Sequence, residues 1–219
     1  MNTFKTRIIT VFALVVLLSI SLQAQPKLLV NLSDAKKAII EYHESGQYYK
    51  DIDSALIEGY KSMAQFKIGP KAAFVFDVDE TALSNYTLYK ACDFGFIPAL
   101  FNRWVDSAIA PAIKPVKRFY DKLVEKGVKI IFITGRSEKE FKATEKNLKS
   151  QGYTTYDSLI VRKGADAKLS AKDYKTQKRK ELTEKGYTIL GSIGDQYSDL
   201  EGSYALVKIK LPNYIYLLK

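Results

Sequence analysis

The chain has 219 residues, of which 47% are hydrophobic and 26% charged, and this length suits one domain of ordinary size with room for a small insert. The composition excludes a disordered or collagen-like chain, and the single cysteine, Cys92, excludes both a disulfide framework within the chain and a zinc site built from cysteines. The formal charge of +10 favours small anionic ligands, but the basic residues are scattered rather than gathered with aromatic rings, so we expect no nucleic-acid polymer as a partner.

Residues 1–24 have the pattern of a secretory signal peptide. Two basic residues, Lys5 and Arg7, precede the apolar run Ile8–Ile20. The run is followed by Ser21-Leu22-Gln23-Ala24, whose small residues Ser21 and Ala24 suit a signal-peptidase cleavage site. The apolar run is shorter than the roughly 20 residues that span a bilayer, so we predict cleavage rather than an uncleaved anchor. The mature protein is then expected in a periplasm or outside the cell, without a stable membrane anchor.

The stretch 25–68 is predicted to form an N-terminal helical segment. Ser33 is a good N-cap residue, and apolar residues follow it at helical spacing until Gly46. A second helical run comes next and breaks at Gly69-Pro70. His43 lies on an apolar helical face, so we expect it to pack against other side chains rather than to bind a ligand.

From residue 69 to residue 219, short apolar runs alternate with amphipathic helices. The runs are Phe74–Phe76, Lys129–Ile133, Leu159–Val161, Thr188–Leu190 and Leu206–Ile209. One helix is expected to end at Gly127, and another to begin at the capping box of Ser137 and Glu140 and to end at Gly152. Strands that alternate with helices predict an α/β fold, in which a parallel sheet carries helices on both faces and sites lie at the carboxyl ends of the strands.

Residues 85–113 are too many for a simple loop between the first strand and the next helix, so we predict a small insert beside the sheet. This stretch carries six aromatic residues, which are Tyr86, Tyr89, Phe94, Phe96, Phe101 and Trp104. We expect most of these rings to form the core of the insert. The other interpretation, which fits one or two of them, is stacking against an aryl or nucleoside leaving group.

Residues suited to chemistry directly follow three of the predicted strands. They are Asp77 and Asp79 after the first strand, Thr134, Gly135 and Arg136 after the second, and Asp195 and Asp199 after the fourth. A lysine joins them from a helix that is expected to open at Lys175, although spacing alone leaves Lys172 and Lys178 as alternatives. Each segment by itself is also an ordinary turn or helix start. Together they indicate a site.

Four carboxylates in one crevice would repel each other unless a divalent cation or protonation compensates their charge. Mg²⁺ suits this crevice because it is a hard ion that takes one or two carboxylates, waters and a phosphate oxygen of a substrate. A lysine and the backbone amides after Asp77 would then hold the other phosphate oxygens.

Five stretches of the sequence occur in the order of a known family's landmarks. They are FVFDVDETALSN (74–85), FNRWVDSAIA (101–110), IFITGRSE (131–138), TEKNL (144–148) and KTQKRKELTEKGYTILGSIGDQYSDLEG (175–202). In this order they resemble the haloacid dehalogenase (HAD) superfamily, and within it the subfamily IIIB acid phosphatases, which include bacterial class B enzymes and plant vegetative storage proteins. The resemblance covers residues 69–219 and implies a Rossmann-like sheet with a small helical insert after the first strand.

The resemblance also implies a role for each catalytic residue. Asp77 would be the nucleophile that forms an aspartyl-phosphate. Asp79 would protonate the leaving alcohol and then deprotonate the water that hydrolyses the intermediate. Thr134 and Lys175 would bind and neutralise the transferring phosphoryl group. An acid two residues after the nucleophile favours a phosphatase over a dehalogenase, which needs no such acid.

Substrate and metal ligands follow from the same resemblance. Gly135 and Arg136 would take part in substrate binding, with Arg136 in a supporting role. Mg²⁺ would be held by the Asp77 carboxylate, the Asp79 backbone carbonyl and Asp195, and by Asp199 directly or through water.

We therefore expect an exported, Mg²⁺-dependent acid phosphatase that hydrolyses small-molecule phosphomonoesters with broad specificity. Activity should be better in mild acid, because Asp79 must be protonated to act as the acid. Two alternatives stay open: phosphoryl transfer to alcohols, and a non-catalytic basic binding or storage protein with the same fold. The sequence leaves the oligomeric state open.

Overall fold

The computed structural model describes residues 29–218, so the signal peptide predicted for residues 1–24 lies outside the described part. The described residues from Lys36 onward form one compact unit, whereas residues 29–35 belong to a separate unit. Within the described residues, no helix combines the length and the apolar character that crossing a membrane requires.

The described residues include seven α-helices and five strands. The helices are α1 (Leu32–Glu44), α2 (Gln47–Met63), α3 (Tyr86–Ala91), α4 (Pro98–Ser107), α5 (Lys114–Glu125), α6 (Phe141–Ser150) and α7 (Ala171–Glu184). The strands are β1 (Ala72–Phe76), β2 (Lys129–Ser137), β3 (Ser158–Arg162), β4 (Thr188–Gly194) and β5 (Val207–Lys210). Each strand contains most of one of the five predicted apolar runs.

The five strands form one parallel sheet in the order β3-β2-β1-β4-β5. From β1 the chain moves outward to β2 and β3, and then returns to place β4 on the other side of β1. The strand order therefore reverses beside β1, and ligands of open α/β sheets bind in the crevice outside such a reversal. The predicted α/β fold with a parallel sheet is confirmed.

Alternate side chains of the central strands bury into two cores, one on each face of the sheet. Phe74 and Phe76 of β1 belong to the larger core, which is shared with buried residues of α2 and α5. Ala73 and Val75 belong to the smaller core with Tyr174 of α7. Both faces of β1 are therefore covered by apolar contacts, which hold its carboxyl end in place.

Strand β2 is longer than predicted, because it continues past Ile133 to Ser137. The pairing of β2 with β3 changes register between these two residues, as it does at a β-bulge, and resumes where Ser137 pairs with β3. Thr134 and Arg136 are buried and Gly135 is exposed. These three residues therefore lie in an extension of the strand, and the alternative interpretation of this segment as an ordinary turn is wrong.

Helix boundaries agree with the predicted signals in α6 and differ in α7. The capping box of Ser137 and Glu140 is present at the turn that leads into α6, and α6 is followed by Gly152, which has a φ of 85°. Helix α7 begins at Ala171, four residues before the predicted start at Lys175. The reason is Ser170, whose hydroxyl oxygen accepts a backbone N–H of the first turn and caps the helix there.

Two short helices, α3 and α4, occupy the region where the insert was predicted. Trp104 packs against the larger core and its indole N–H donates to Asn85 Oδ1 at 2.8 Å. Tyr86 stacks on His43 with ring centroids 4.3 Å apart and an interplanar angle of 6°. Burial of this histidine lowers its pKa to about 4, so His43 packs as a neutral ring, as expected.

Candidate active site

Three buried aspartates meet at the carboxyl ends of the central strands. Asp77 follows β1, Asp195 follows β4, and Asp199 ends a short 3₁₀ turn. One carboxylate oxygen from each residue can be chosen so that all three lie within 4.8 Å of one another. The predicted approach of Asp195 and Asp199 to the same crevice is therefore observed.

This close approach depends on Gly194 at the end of β4. A Cβ atom on that residue would lie 2.0 Å from Asp199 Oδ2, closer than any van der Waals contact permits. Asp199 Oδ2 also accepts the backbone N–H of Gln196 at 2.8 Å, which fixes the turn between Asp195 and Asp199. Only glycine at position 194 lets the Asp199 carboxylate approach the strand this closely.

Lys175 is the lysine that enters the site. Its Nζ donates to Asp77 Oδ1 at 2.5 Å and also to Asp199 Oδ1, and the lysine is 6% exposed. Burial acts to lower the pKa of Lys175, but the two carboxylates outweigh it and raise the pKa well above its ordinary value.

The two alternative lysines have other partners. Lys172 is exposed and pairs with Glu201. Lys178 pairs with Asp166 and Glu181, so neither of the two lysines enters the site.

The charges of this cluster do not balance. When Asp77, Asp195 and Asp199 are all ionised, the single ammonium of Lys175 leaves two negative charges uncompensated. Burial, opposed by Lys175 and reinforced by the neighbouring aspartates, raises the pKa of Asp77 well above its ordinary range. Burial and the charge of Asp199 raise the pKa of Asp195 to about 6. A divalent cation would supply the missing charge, and three carboxylate oxygens are donors that suit a hard ion such as Mg²⁺.

Asp79 points its side chain to Arg136 instead of to this cluster. The guanidinium donates from Nε to Asp79 Oδ2 at 3.0 Å and from Nη2 to Oδ1 at 2.7 Å, and the Asn85 amide donates to the same Oδ1 at 2.8 Å. Burial acts to raise the pKa of Asp79, but the charge and hydrogen bonds of Arg136 outweigh it and lower the pKa. The Asp79 carboxylate is therefore not part of the aspartate cluster, and a metal contact of its backbone carbonyl stays a prediction.

The three residues of the β2 extension have different surroundings. Thr134 is fully buried, and its hydroxyl oxygen accepts the backbone N–H of Arg136 at 3.2 Å. Gly135 lines the cleft, and a Cβ atom there would meet nothing within 4 Å, so the space above it is open. Arg136 also lines the cleft, but its guanidinium donates hydrogen bonds to Asp79 and, from Nη1, to the Thr144 hydroxyl oxygen at 3.1 Å.

The cleft above the aspartates has a volume of about 660 Å³ and an aromatic wall. The rings on this wall come mainly from the insert, and they are Tyr89, Phe94, Phe96 and Phe101. Tyr86 and Trp104, by contrast, do not line the cleft and pack as described above. Ile215, Tyr216 and Leu218 from the segment after β5 also line the cleft, and the Tyr216 ring lies 5.5 Å from the Tyr89 ring between centroids.

The sequence patterns missed several residues that surround Asp79. Glu80 is buried with a left-handed φ of 51°, and its carboxylate accepts the backbone N–H of Asn85 at 2.6 Å and the Tyr216 hydroxyl at 3.2 Å. Burial and the charges of Asp79 and Asp195 raise the pKa of Glu80 to about 8. The acidic residue directly after Asp79 was the available signal for Glu80, but nothing local pointed to Tyr216.

Comparisons with known proteins agree on one family. The model of the family described as "HAD superfamily, subfamily IIIB (Acid phosphatase)" matches residues 12–219. The chain is 38% identical to the stem 28 kDa glycoprotein of Glycine max over 189 residues, which cover 84% of this chain and 74% of that protein. It is 34% identical to acid phosphatase 1 of Solanum lycopersicum over 184 residues, covering 81% and 72% respectively.

A solved structure supports the fold. The class C acid phosphatase from Bacillus anthracis superposes with a TM-score of 0.69 at 24% identity, covering 86% of this chain and 87% of that chain. At this identity the likeness concerns the arrangement of strands and helices. It agrees with the parallel sheet described above.

Proposed function

The chain belongs to the HAD superfamily, subfamily IIIB, and is an acid phosphatase, and from this premise we propose that it hydrolyses phosphomonoesters of broad specificity through a phosphorylated Asp77 with Mg²⁺ as its cation. The observation that carries the proposal is the position of Lys175, whose ammonium bonds both Asp77 and Asp199 on the floor of the cleft. A cation beside a prospective nucleophile suits a transferring phosphoryl group, which carries negative charge in the ground state and the transition state.

In the first step an oxygen of Asp77 attacks phosphorus, and the bond between phosphorus and the ester oxygen breaks. Asp79 gives its proton to the leaving alcohol, so the alcohol departs neutral and Asp77 carries the phosphoryl group. In the second step Asp79 takes a proton from water, whose oxygen attacks phosphorus. The Asp77 carboxylate and inorganic phosphate are then released, and the site returns to its starting state.

Lys175 would hold the phosphoryl oxygens while Asp77 reacts, and the open space above Gly135 leaves room for them. When bound to Asp77, Asp195 and Asp199, Mg²⁺ would supply the positive charge that the cluster lacks. Phosphoryl binding by Thr134 stays a prediction, because this residue is fully buried and does not line the cleft. We assign to Arg136 the task of holding the Asp79 carboxylate, in addition to any contact with substrate.

The Mg²⁺ dependence is tested by assaying purified protein with an aryl phosphate before and after chelation. We expect EDTA to lower turnover by about 10²-fold or more and added Mg²⁺ to restore it, because the uncompensated carboxylates repel the phosphate dianion. Full activity in EDTA would contradict the proposed cation. No hydrolysis under any condition would favour the storage alternative, and a new ester formed with added glycerol would favour the transferase.

Arg136 is expected to set the pH dependence of the first step. It lowers the pKa of Asp79, so less of this acid is protonated at a given pH, and kcat/KM should decline as the pH rises through that pKa, at a lower pH than an ordinary aspartate would give. In Arg136→Gln the pKa of Asp79 should be higher, which moves this decline to higher pH, and kcat should fall about 10- to 100-fold because the acid loses its fixed position.

The measurement for Arg136→Gln is the pH profile of kcat/KM for an aryl phosphate. Arg118→Gln is the matched control, because Arg118 is exposed and pairs with Asp53 on α2. The control should reproduce the wild-type profile. An alkaline limb that stays in place in Arg136→Gln would contradict the assignment of Asp79 as the acid that Arg136 holds.

We also propose that the protein is exported after cleavage behind Ala24, as the sequence of residues 1–24 predicts. Its relative in Glycine max is named a stem glycoprotein, and glycoproteins pass through a secretory route. The mass of the protein recovered from an expressing cell checks the cleavage point. We retain residues 25–68 as an N-terminal helical segment and residues 69–219 as the phosphatase core.

A further inference from the structure

The segment after β5, Asn213–Leu218, crosses the carboxyl end of β4 beside Asp195, and we call it the C-terminal strap. It starts close to the sheet, because the backbone N–H of Leu211 donates to the Gly194 carbonyl at 2.9 Å. At its far end the backbone N–H of Leu218 donates to Gln196 Oε1 at 2.8 Å. The chain from Leu211 to Leu218 therefore contacts the residues on both sides of Asp195, with the strap itself bonded to Gln196.

The two oxygens of the Asp195 carboxylate have unequal surroundings. Oδ2 accepts the Asn213 amide at 2.6 Å and the Gln196 amide at 2.5 Å. Among residues 29–218, the one polar contact of Oδ1 is a long one of 3.4 Å with the Thr81 hydroxyl. Two short hydrogen bonds to one oxygen fix the rotation of the carboxylate and leave the other oxygen available to a cation.

Both amides are oriented by the strap itself. Asn213 Oδ1 accepts the backbone N–H of Ile215 at 2.8 Å, so the NH₂ group of Asn213 must face Asp195. Gln196 Oε1 accepts the N–H of Leu218, so its NH₂ group faces Asp195 as well. The donors cannot exchange with the acceptors without breaking these backbone hydrogen bonds.

The strap is tied to the other side of the site by Tyr216. Its hydroxyl donates to Glu80 Oε2 at 3.2 Å, and its carbonyl is 3.4 Å from the Gln196 amide nitrogen that donates to Asp195. Asp195 and Gln196 are 1% and 3% exposed, so water has little access to the carboxylate, whereas Asn213 and Tyr216 are half-buried. The strap thus completes a network of hydrogen bonds around one oxygen of Asp195.

We propose that the C-terminal strap is a positioning element of the cation site, in which Asn213 and Gln196 hold Asp195 so that its Oδ1 serves as the metal ligand. This inference rests on the proposed use of a divalent cation. Partners that orient a ligand in this way contribute about 10- to 100-fold to metal affinity in other sites. Asn213 makes no contact with the reacting atoms in this role and acts only through Asp195.

The test is titration of the full-length protein with Mn²⁺ in the absence of substrate, with free Mn²⁺ followed by its paramagnetic resonance signal. Asn213→Ala should raise the Kd for Mn²⁺ by about 10-fold or more. Leu217→Ala is the matched control, because Leu217 is in the strap but is exposed and lies apart from this network. Its Kd should stay within about twofold of the wild-type value.

Steady-state kinetics provide a second measurement that simple loosening of the fold would not reproduce. In Asn213→Ala the Mg²⁺ concentration for half-maximal activity should rise by the same factor as the Kd, while kcat at saturating Mg²⁺ stays within about threefold of the wild-type value. The melting temperature in EDTA verifies that the variant folds. Asn213→Leu, which keeps the number and branching of the side-chain heavy atoms, replaces Asn213→Ala if the smaller residue unfolds the protein.

Three outcomes would overturn the inference, and one of them separates it from the proposed function. Equal Mn²⁺ affinity in wild type and Asn213→Ala contradicts the positioning role alone. Equal weakening in Leu217→Ala and Asn213→Ala shows that the strap acts through general stability. If the wild-type protein binds no Mn²⁺, the proposed cation itself fails, and the positioning role fails with it.

Discussion

Asp77→Asn is expected to lower kcat by about 10³-fold or more, because an amide does not attack phosphorus and no phosphorylated intermediate can form. The two side chains have nearly the same shape, so the cleft and its aromatic wall should be unchanged. KM alone does not report the loss of the nucleophile, because its value depends on binding as well as on the chemical step. The decisive measurement is the label retained on the protein after rapid quenching with radiolabelled substrate, which should appear on the wild-type protein alone.

The same substitution should leave the metal-free protein as stable as the wild type or more stable. The pKa of Asp77 is raised in the folded protein, first by burial and then by Asp199 and Asp195, against the opposing effect of Lys175. A carboxylate with a raised pKa costs stability once the pH exceeds its unfolded pKa, and this cost is fully present above its folded pKa. Asparagine removes this cost, so the melting temperature in EDTA should not fall.

Asp53→Asn is the control for Asp77→Asn, since Asp53 lies on the surface of α2 and pairs with Arg118. It should retain wild-type turnover and wild-type labelling. Turnover of the aryl phosphate by Asp77→Asn at the wild-type rate, or label that stays on this variant after quenching, would exclude Asp77 as the nucleophile.

Lys175→Met is expected to lower kcat/KM by about 10²- to 10³-fold, because the phosphoryl group loses the ammonium that neutralises it. The variant should also be less stable in EDTA at neutral pH by about 3 kcal/mol, since Asp77 and Asp199 remain buried without their cation. This loss should shrink as the pH falls, because protonation of Asp77 removes part of the uncompensated charge.

Lys172→Met supplies the matched control, because Lys172 is on the same helix, is exposed and pairs with Glu201 at 3.4 Å. An exposed ion pair contributes little, so both its activity and its stability should stay close to those of the wild type. Kinetics with an aryl phosphate and thermal melts at pH 5 and pH 8 in EDTA measure the two effects. If Lys172→Met is impaired and Lys175→Met is active, the assignment of the cationic residue is wrong.

The carboxyl ends of the strands were predictable because the information is local. Buried parallel strands have continuous apolar runs, so the run Phe74–Phe76 located β1 and placed Asp77 at its end. The same logic placed Asp195 after β4. The carboxyl ends of parallel strands lie at one edge of the sheet, and from this rule the aspartates were predicted to lie close together.

The choice of lysine was not predictable at the same level. Lys172, Lys175 and Lys178 are spaced three residues apart, so they occupy neighbouring positions on one helix face and the pattern cannot separate them. The helix begins at Ala171, directly after its cap Ser170, rather than at Lys175, and its packing against the sheet determines which ammonium reaches Asp77. A difference of one helical turn separates a buried cation from an exposed one.

The sequence by itself determined the alternation of strands and helices and the residue types at the strand ends, because hydrophobic periodicity and turn chemistry act over a few neighbouring positions. Only the tertiary structure decided that Arg136 pairs with Asp79 and that Asn213 bonds Asp195. These partners are 57 and 18 residues apart in the chain, and no local pattern encodes such contacts. They arise because the packed sheet brings distant polar groups into one buried space, where each must find a partner.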